Sequence, residues 1–97
     1  MSTATEMLTI MALDPDACLR FSPHTQCWYV TAGIEVSDGV VLRTVCEHET
    51  RPEDAVRSYY LQLQQCQLHG GTYVISRNPE RRAHQWNGGA FVEVRQS

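Results

Sequence analysis

The sequence predicts an α+β fold, a mainly antiparallel sheet of about five or six strands with one amphipathic helix packed on one face. Three observations predict it. Segments rich in strand-forming residues flank Ser37-Asp38-Gly39 in the first half of the chain and Asn87-Gly88 near its end, as in β-hairpins. Between these hairpins, residues 50–66 have apolar side chains at the spacing of a helix.

The composition favours one globular domain. The chain has 97 residues, of which 42% are hydrophobic and 20% charged. We expect residues 1–6 to be disordered and residues 7–97 to form the domain. The net charge of −3 argues against a domain that wraps nucleic acid or lies on an anionic membrane. The basic residues are all arginine, which excludes a phosphate-loop lysine and a Schiff-base nucleophile.

The N-terminal region offers weaker signals. The run "MLTIMAL", residues 7–13, predicts a first strand, and Asp14-Pro15 predicts a turn or a single helical turn. The structure of residues 14–27 stays open at this point. The start has no basic residue and only a short apolar run, so we expect no secretion signal and a cytoplasmic location. Free thiols are then expected at the four cysteines.

Residues 27–48 predict the first hairpin. A three-residue loop pairs Val36 with Val40 and Ile34 with Leu42, and the same register continues to Trp28 and His48. Since side chains alternate between the faces of a strand, one mostly apolar face points inward. The residues expected to point outward are Tyr29, Thr31, Glu35, Arg43 and Glu47.

Residues 50–66 predict the helix. Thr50 and Glu53 form a capping box, and Pro52 suits the first turn. Gly70 is the expected left-handed residue after the helix. The stripe expected to cover the sheet consists of Ala55, Val56, Tyr59, Leu63 and Cys66.

The C-terminal part predicts three short strands. "TYVIS", residues 72–76, is the first, and the turn "RNPE" follows it. Asn87-Gly88 then predicts a two-residue hairpin turn leading into the strand at residues 90–94. The pairs expected from this turn are Trp86 with Gly89, His84 with Phe91, and Arg82 with Glu93.

Metal binding and catalysis are not favoured by these residues. Cys46 with His48 and Cys66 with His69 resemble half sites for zinc, but the helix between them separates the pairs by roughly 20 Å. A grouping of Cys18, His24, Cys27 and His48 has no spacing typical of structural zinc. No hydrolase, zinc-protease or phosphate-loop motif occurs. We therefore expect no metal and no cofactor, and a protein that is not an enzyme.

Two kinds of binding surface remain. Apolar side chains expected to point outward favour a homo-oligomer and a further protein partner. These candidate partner-binding residues are Tyr29, Val41, Val45, Tyr60 and Leu61. The alternative is a nucleotide or nucleic-acid site, because guanidinium groups bind phosphates and aromatic rings stack on bases. The candidate anion-binding residues are Arg77, Arg81, Arg82 and Trp86.

Three stretches resemble a known group of proteins. "WYVTAGIEVSDG", "EHETRPEDAVRSYYLQL" and "RRAHQWNGG" are similar to segments of small uncharacterised accessory proteins encoded by tailed phages of actinobacteria. The resemblance covers roughly residues 28–94. It implies a phage-encoded protein in the host cytoplasm and carries over no activity and no functional residue. That group often follows Trp-Asn-Gly with two aromatic residues, whereas Gly89 and Ala90 stand here.

Overall fold

A computed structural model describes residues 2–37, 40–44, 49–68, 74–75 and 83–94. In chain order the elements are α1 (Thr3–Leu13), β1 (Cys18–Ser22), β2 (Cys27–Ser37), β3 (Val40–Thr44), α2 (Pro52–Leu68), β4 (Val74–Ile75), β5 (Ala83–Trp86) and β6 (Phe91–Glu93). The α+β class and the antiparallel pairing are confirmed. The six strands are linked by pairing in the order β1-β2-β4-β5-β6, with β3 also paired to β2. Because β4 has only two residues, the sheet consists mainly of a three-stranded unit, β1–β3, and the hairpin β5–β6.

Helix α1 corrects the prediction for the N-terminus. The predicted strand at residues 7–13 is wrong, and so is the predicted disorder of residues 1–6, since α1 begins at Thr3. The Ser2 hydroxyl accepts a hydrogen bond from the backbone N–H of Thr5 at 3.2 Å, which is the bond of a helix N-cap. Ile10 and Leu13, three residues apart, are buried, as expected for a helix and not for a strand.

Strand β2 is the central strand of the three-stranded unit. β1 and then β4 pair along one of its edges, and β3 pairs along the other. Gly33 lies between the parts of β2 that pair with β1 and β4, and its N–H donates to Oδ2 of Asp14 at 2.6 Å. Asp14 is fully buried and also ends α1, because its own N–H donates to the Ile10 carbonyl. The Asp14 carboxylate therefore fastens the end of α1 to the central strand.

The first hairpin has the predicted register at its centre. Ile34 lies opposite Leu42, but the pairing shifts by one residue between Thr31 and Ile34 and again between Glu35 and Ser37. The predicted pair of Val36 with Val40 is therefore wrong, since Ser37 lies opposite Val40. Such shifts are β-bulges, which bend a strand locally. The predicted pair of Trp28 with His48 is wrong, because Trp28 lies opposite Glu49 and its N–H donates to the Glu49 carbonyl at 2.7 Å.

Helix α2 confirms most of the predicted stripe. Ala55, Val56, Tyr59 and Leu63 are buried, while the side chain of Cys66 lies outside the described part. The predicted capping box of Thr50 with Glu53 is wrong. The Glu53 carboxylate instead accepts a hydrogen bond from the Arg51 guanidinium. A bond from its own backbone N–H and this contact with Arg51 hold the pKa of Glu53 below its usual value.

The second hairpin has a longer loop than predicted. Trp86 lies opposite Phe91 and His84 opposite Glu93, so the predicted two-residue turn is wrong. The cause is the side chain of Asn87, whose Oδ1 accepts hydrogen bonds from the N–H groups of Gly89 and Ala90. These bonds close a four-residue loop. The predicted pairing of Glu93 with Arg82 is also wrong, since Glu93 lies opposite His84. Arg82 itself lies outside the described residues, as do most residues of the strand predicted at 72–76.

One hydrophobic core joins both helices to one face of the sheet. Two residues of α1 and four of α2 pack with three of β2, and Leu19 and Leu42 on the flanking strands pack against this cluster. Its buried members on these three elements are Ile10, Leu13, Val56, Tyr59, Tyr60, Leu63, Val30, Ile34 and Val36. The opposite face of the three-stranded unit therefore points away from both helices.

Candidate protein-binding surface

The outward side of the three-stranded unit is the candidate surface. Because Val30 and Ile34 point into the core, the neighbouring side chains on β2 point to the other face. The register places Arg20 beside Tyr29 and Val41 beside Glu35 on that face. We call this surface the outer sheet face and define it by Arg20, Tyr29, Thr31, Glu35, Val41 and Arg43.

The outer sheet face has an apolar centre and charged neighbours. Tyr29 and Val41 are half-buried within the single chain, whereas Arg20 and Arg43 are exposed. Glu35 supplies one negative charge against these two arginines, so the defined surface is net positive on a chain with a net charge of −3. Such a surface suits an acidic partner.

The predicted partner-binding residues are only partly brought together. Tyr29 and Val41 share the outer sheet face, as expected. Leu61 is exposed on α2, at 39% of its full surface, and thus belongs to a different layer of the molecule. Val45 lies outside the described residues.

Tyr60 corrects the prediction, because it is buried at 2% exposure and cannot contact a partner. The second hairpin covers it: the rings of Trp86 and Phe91 meet the Tyr60 ring edge-on at centroid distances of 5.8 and 6.0 Å. The predicted stripe on α2 accounts only for packing against the first hairpin. The second hairpin packs against α2 beside this stripe and covers Tyr60.

The hydroxyl of Tyr60 is chemically unusual. It is buried, and the described residues supply no hydrogen-bond partner for it, a state that is rare in proteins. Burial raises the pKa of this hydroxyl, and the Glu6 carboxylate raises it further. Gln64, one turn along α2, lies close to Oη and partly lowers this pKa. The contact does not have the geometry of a hydrogen bond.

The predicted anion-binding group is not assembled by the described residues. Arg77, Arg81 and Arg82 lie outside them. Trp86 is described, and its ring packs against Phe91 at a centroid distance of 5.1 Å as well as against Tyr60. These contacts give Trp86 a structural role in holding the hairpin on α2.

The predicted metal half sites fall mainly on residues that the structure does not describe, namely Cys46, His48 and His69 together with the side chain of Cys66. Within the described part, no three His, Cys, Asp or Glu side chains come together as metal ligands would. Cys18 and Cys27 are free thiols at opposite ends of the β1–β2 pairing. The described helices include none long and apolar enough to cross a membrane.

Sequence reasoning missed two exposed apolar groups. Leu8 and Met11 on α1 are 65% and 41% exposed, and Phe21 on β1 is 46% exposed beside Trp28, at a ring distance of 5.2 Å. Reading residues 7–13 with the period of a helix, and taking Ser2 as an N-cap, would have revealed the first group. The second group lay in a region whose structure the sequence left open.

Comparison with protein-family models, with curated proteins and with solved structures finds no match to this chain.

Proposed function

We propose that this chain is a non-enzymatic binding protein that holds another protein on its outer sheet face. The observation that carries the proposal is the one-sided packing of the sheet: the core cluster contains both helices, and Tyr29 and Val41 point away from it. Half-exposed aromatic and aliphatic side chains with arginines at the margin are typical of the centre and rim of protein interfaces.

The charge of the face narrows the class of partner. Arg20 and Arg43 flank the apolar centre, and Glu35 balances only one of them. A partner with an apolar patch ringed by acidic side chains would gain both burial and charge complementarity. The similarity of residues 28–94 to phage accessory proteins supports a phage or host protein in the bacterial cytoplasm as this partner.

Affinity purification from a bacterial host, followed by native mass spectrometry, tests the proposal. The wild-type chain is expected to carry a protein, and the double variant Tyr29→Ala/Val41→Ala is expected to lose most of it while keeping its thermal stability. Val92→Ala is the control, because Val92 is another strand valine that solvent reaches but lies on β6, away from the outer sheet face. A bound nucleotide or nucleic acid, or undiminished capture by the double variant, would overturn the proposal.

A further inference from the structure

Helix α1 has apolar side chains on two opposite faces. Met7, Ile10 and Leu13 pack into the core. On the other side, residues 4, 8, 11 and 12 follow the i, i+4, i+7, i+8 spacing of a single helix face, and all four are exposed. We call this set the outer stripe; it consists of Ala4, Leu8, Met11 and Ala12.

Helix α1 buries its charged side chain and exposes apolar ones, the reverse of a usual surface helix. A helix at a protein surface normally presents charged groups to solvent and apolar groups to the core. Here the charged residue of α1, Glu6, is only 3% exposed and faces Arg57 of α2 at 3.5 Å. Leu8, in contrast, is 65% exposed. The outer stripe thus has no charge that a covering surface would have to desolvate.

We infer that the outer stripe binds the outer stripe of a second copy of this chain, with the two α1 helices antiparallel and related by a two-fold axis at Leu8. The order of side-chain sizes supports a copy in place of an unrelated partner. Ala4 and Ala12 lie four residues before and after Leu8. In the antiparallel pair Leu8 meets Leu8, each Ala4 meets Ala12 of the other helix, and each Met11 meets Thr5, which is also exposed. The small alanines at both ends let the helices approach closely, and Met11 packs beside the central leucines.

Electrostatics favours the same orientation. Antiparallel helices place the positive N-terminal end of one dipole beside the negative C-terminal end of the other. A two-fold axis brings identical surfaces together, which is unfavourable where those surfaces carry charge. The uncharged outer stripe avoids this repulsion.

The size of the contact determines its strength. α1 has 11 residues and is about 16 Å long, so the helix pair buries less than the ~800 Å² per partner of a standard interface. We therefore expect a reversible dimer whose population depends on concentration. The inference goes beyond the proposed function, because it concerns self-association through a surface separate from the outer sheet face.

Sedimentation velocity over a hundredfold range of protein concentration tests the dimer. The wild-type chain is expected to shift from monomer to dimer, and Leu8→Glu is expected to weaken association at least tenfold with unchanged circular dichroism and melting temperature. Val92→Glu is the control, since it adds the same charge at another exposed apolar position. A monomeric wild-type chain, or equal association of Leu8→Glu and wild type, would overturn the inference.

Crosslinking tests the two-fold axis independently. Under mild oxidation Leu8→Cys is expected to form a disulfide between two copies faster than Ala4→Cys, because only position 8 faces itself across the axis. Faster crosslinking at position 4 would indicate another geometry and refute the axis at Leu8. The two proposals fail separately: loss of the dimer with partner capture retained rejects only this inference, and the reverse result rejects only the proposed function.

Discussion

Tyr59 and Tyr60 are consecutive, and both are buried, yet among the described residues only the hydroxyl of Tyr59 finds a hydrogen-bond partner. Oη of Tyr59 donates to the backbone carbonyl of Leu42 at 2.6 Å and so ties α2 to β3. Oη of Tyr60 is buried between α1, α2 and the second hairpin without a partner. The rings of both residues pack in the core, but the two hydroxyl groups are expected to affect stability in opposite ways.

Replacing each tyrosine by phenylalanine is expected to change the free energy of unfolding in opposite directions. Tyr59→Phe leaves the Leu42 carbonyl without its donor and should destabilise the chain by about 1 kcal/mol. Tyr60→Phe removes a desolvated hydroxyl and should stabilise the chain by up to about 1 kcal/mol. Urea denaturation of both variants measures this difference, and destabilisation by Tyr60→Phe would show that its hydroxyl has a favourable partner in solution.

The raised pKa of Tyr60 predicts a loss of stability in alkaline solution. The unfolded chain releases this proton near the ordinary tyrosine value of about 10, whereas the folded chain holds it to higher pH. The titration of Tyr60 therefore leaves the free energy of unfolding unchanged below pH ~10 and lowers it as the pH rises from there through the folded pKa. The unfolding free energy measured between pH 8 and 11 should decline less in Tyr60→Phe than in the wild type; parallel curves would contradict the assignment.

Loss of the Asp14 carboxylate is expected to lower the free energy of unfolding more than most single substitutions. Asp14→Ala removes the acceptor of the Gly33 and Asp16 N–H groups, the first at 2.6 Å and the second at 2.9 Å. Hydrogen bonds to a charged acceptor contribute about 1.5–3 kcal/mol each, so a loss of at least about 2 kcal/mol is expected. Asp16→Ala keeps these bonds and should change stability by less than about 0.5 kcal/mol. Equal effects of the two variants would contradict the proposed fastening of α1.

The loop of the second hairpin offers a matched pair of glycines. Gly88 has φ +97°, which L-residues adopt at a cost, although a Cβ there would meet no neighbour. Gly88→Ala is therefore expected to destabilise by about 1 kcal/mol through the backbone alone. A Cβ on Gly89 would lie at an ordinary 3.8 Å from Oδ1 of Asn87. Thermal unfolding should show a smaller effect for Gly89→Ala, and the reverse order would contradict the loop geometry.

Local patterns predicted the elements whose structure depends on their own residues. The first hairpin and the buried side of α2 follow from alternation and from helical spacing, and both are observed with Ile34 opposite Leu42 and Leu63 buried. α1 was missed because "MLTIMAL" is apolar with either period. Ser2 was the local signal that favoured the helix.

Long-range contacts explain the remaining differences. Nothing near Tyr60 in the sequence indicates that Trp86 and Phe91 will cover it, so its burial was not predictable from the helix alone. The hydrogen bond from the Gly33 N–H to the Asp14 carboxylate joins residues 19 positions apart, and the sequence predicted neither β1 nor its pairing beside Gly33. Of the candidate surface, alternation on β2 predicted Tyr29 correctly, because that orientation depends only on its neighbours in the strand.

Photocrosslinking in living cells tests the binding role of the outer sheet face most directly. A photoreactive phenylalanine analogue is placed at position 29, and at position 92 as the control. Binding at the outer sheet face predicts one dominant protein adduct at position 29 that is absent at position 92. Equal labelling at both positions, or adducts at position 29 only with nucleic acid, would contradict the claim that this face binds a protein.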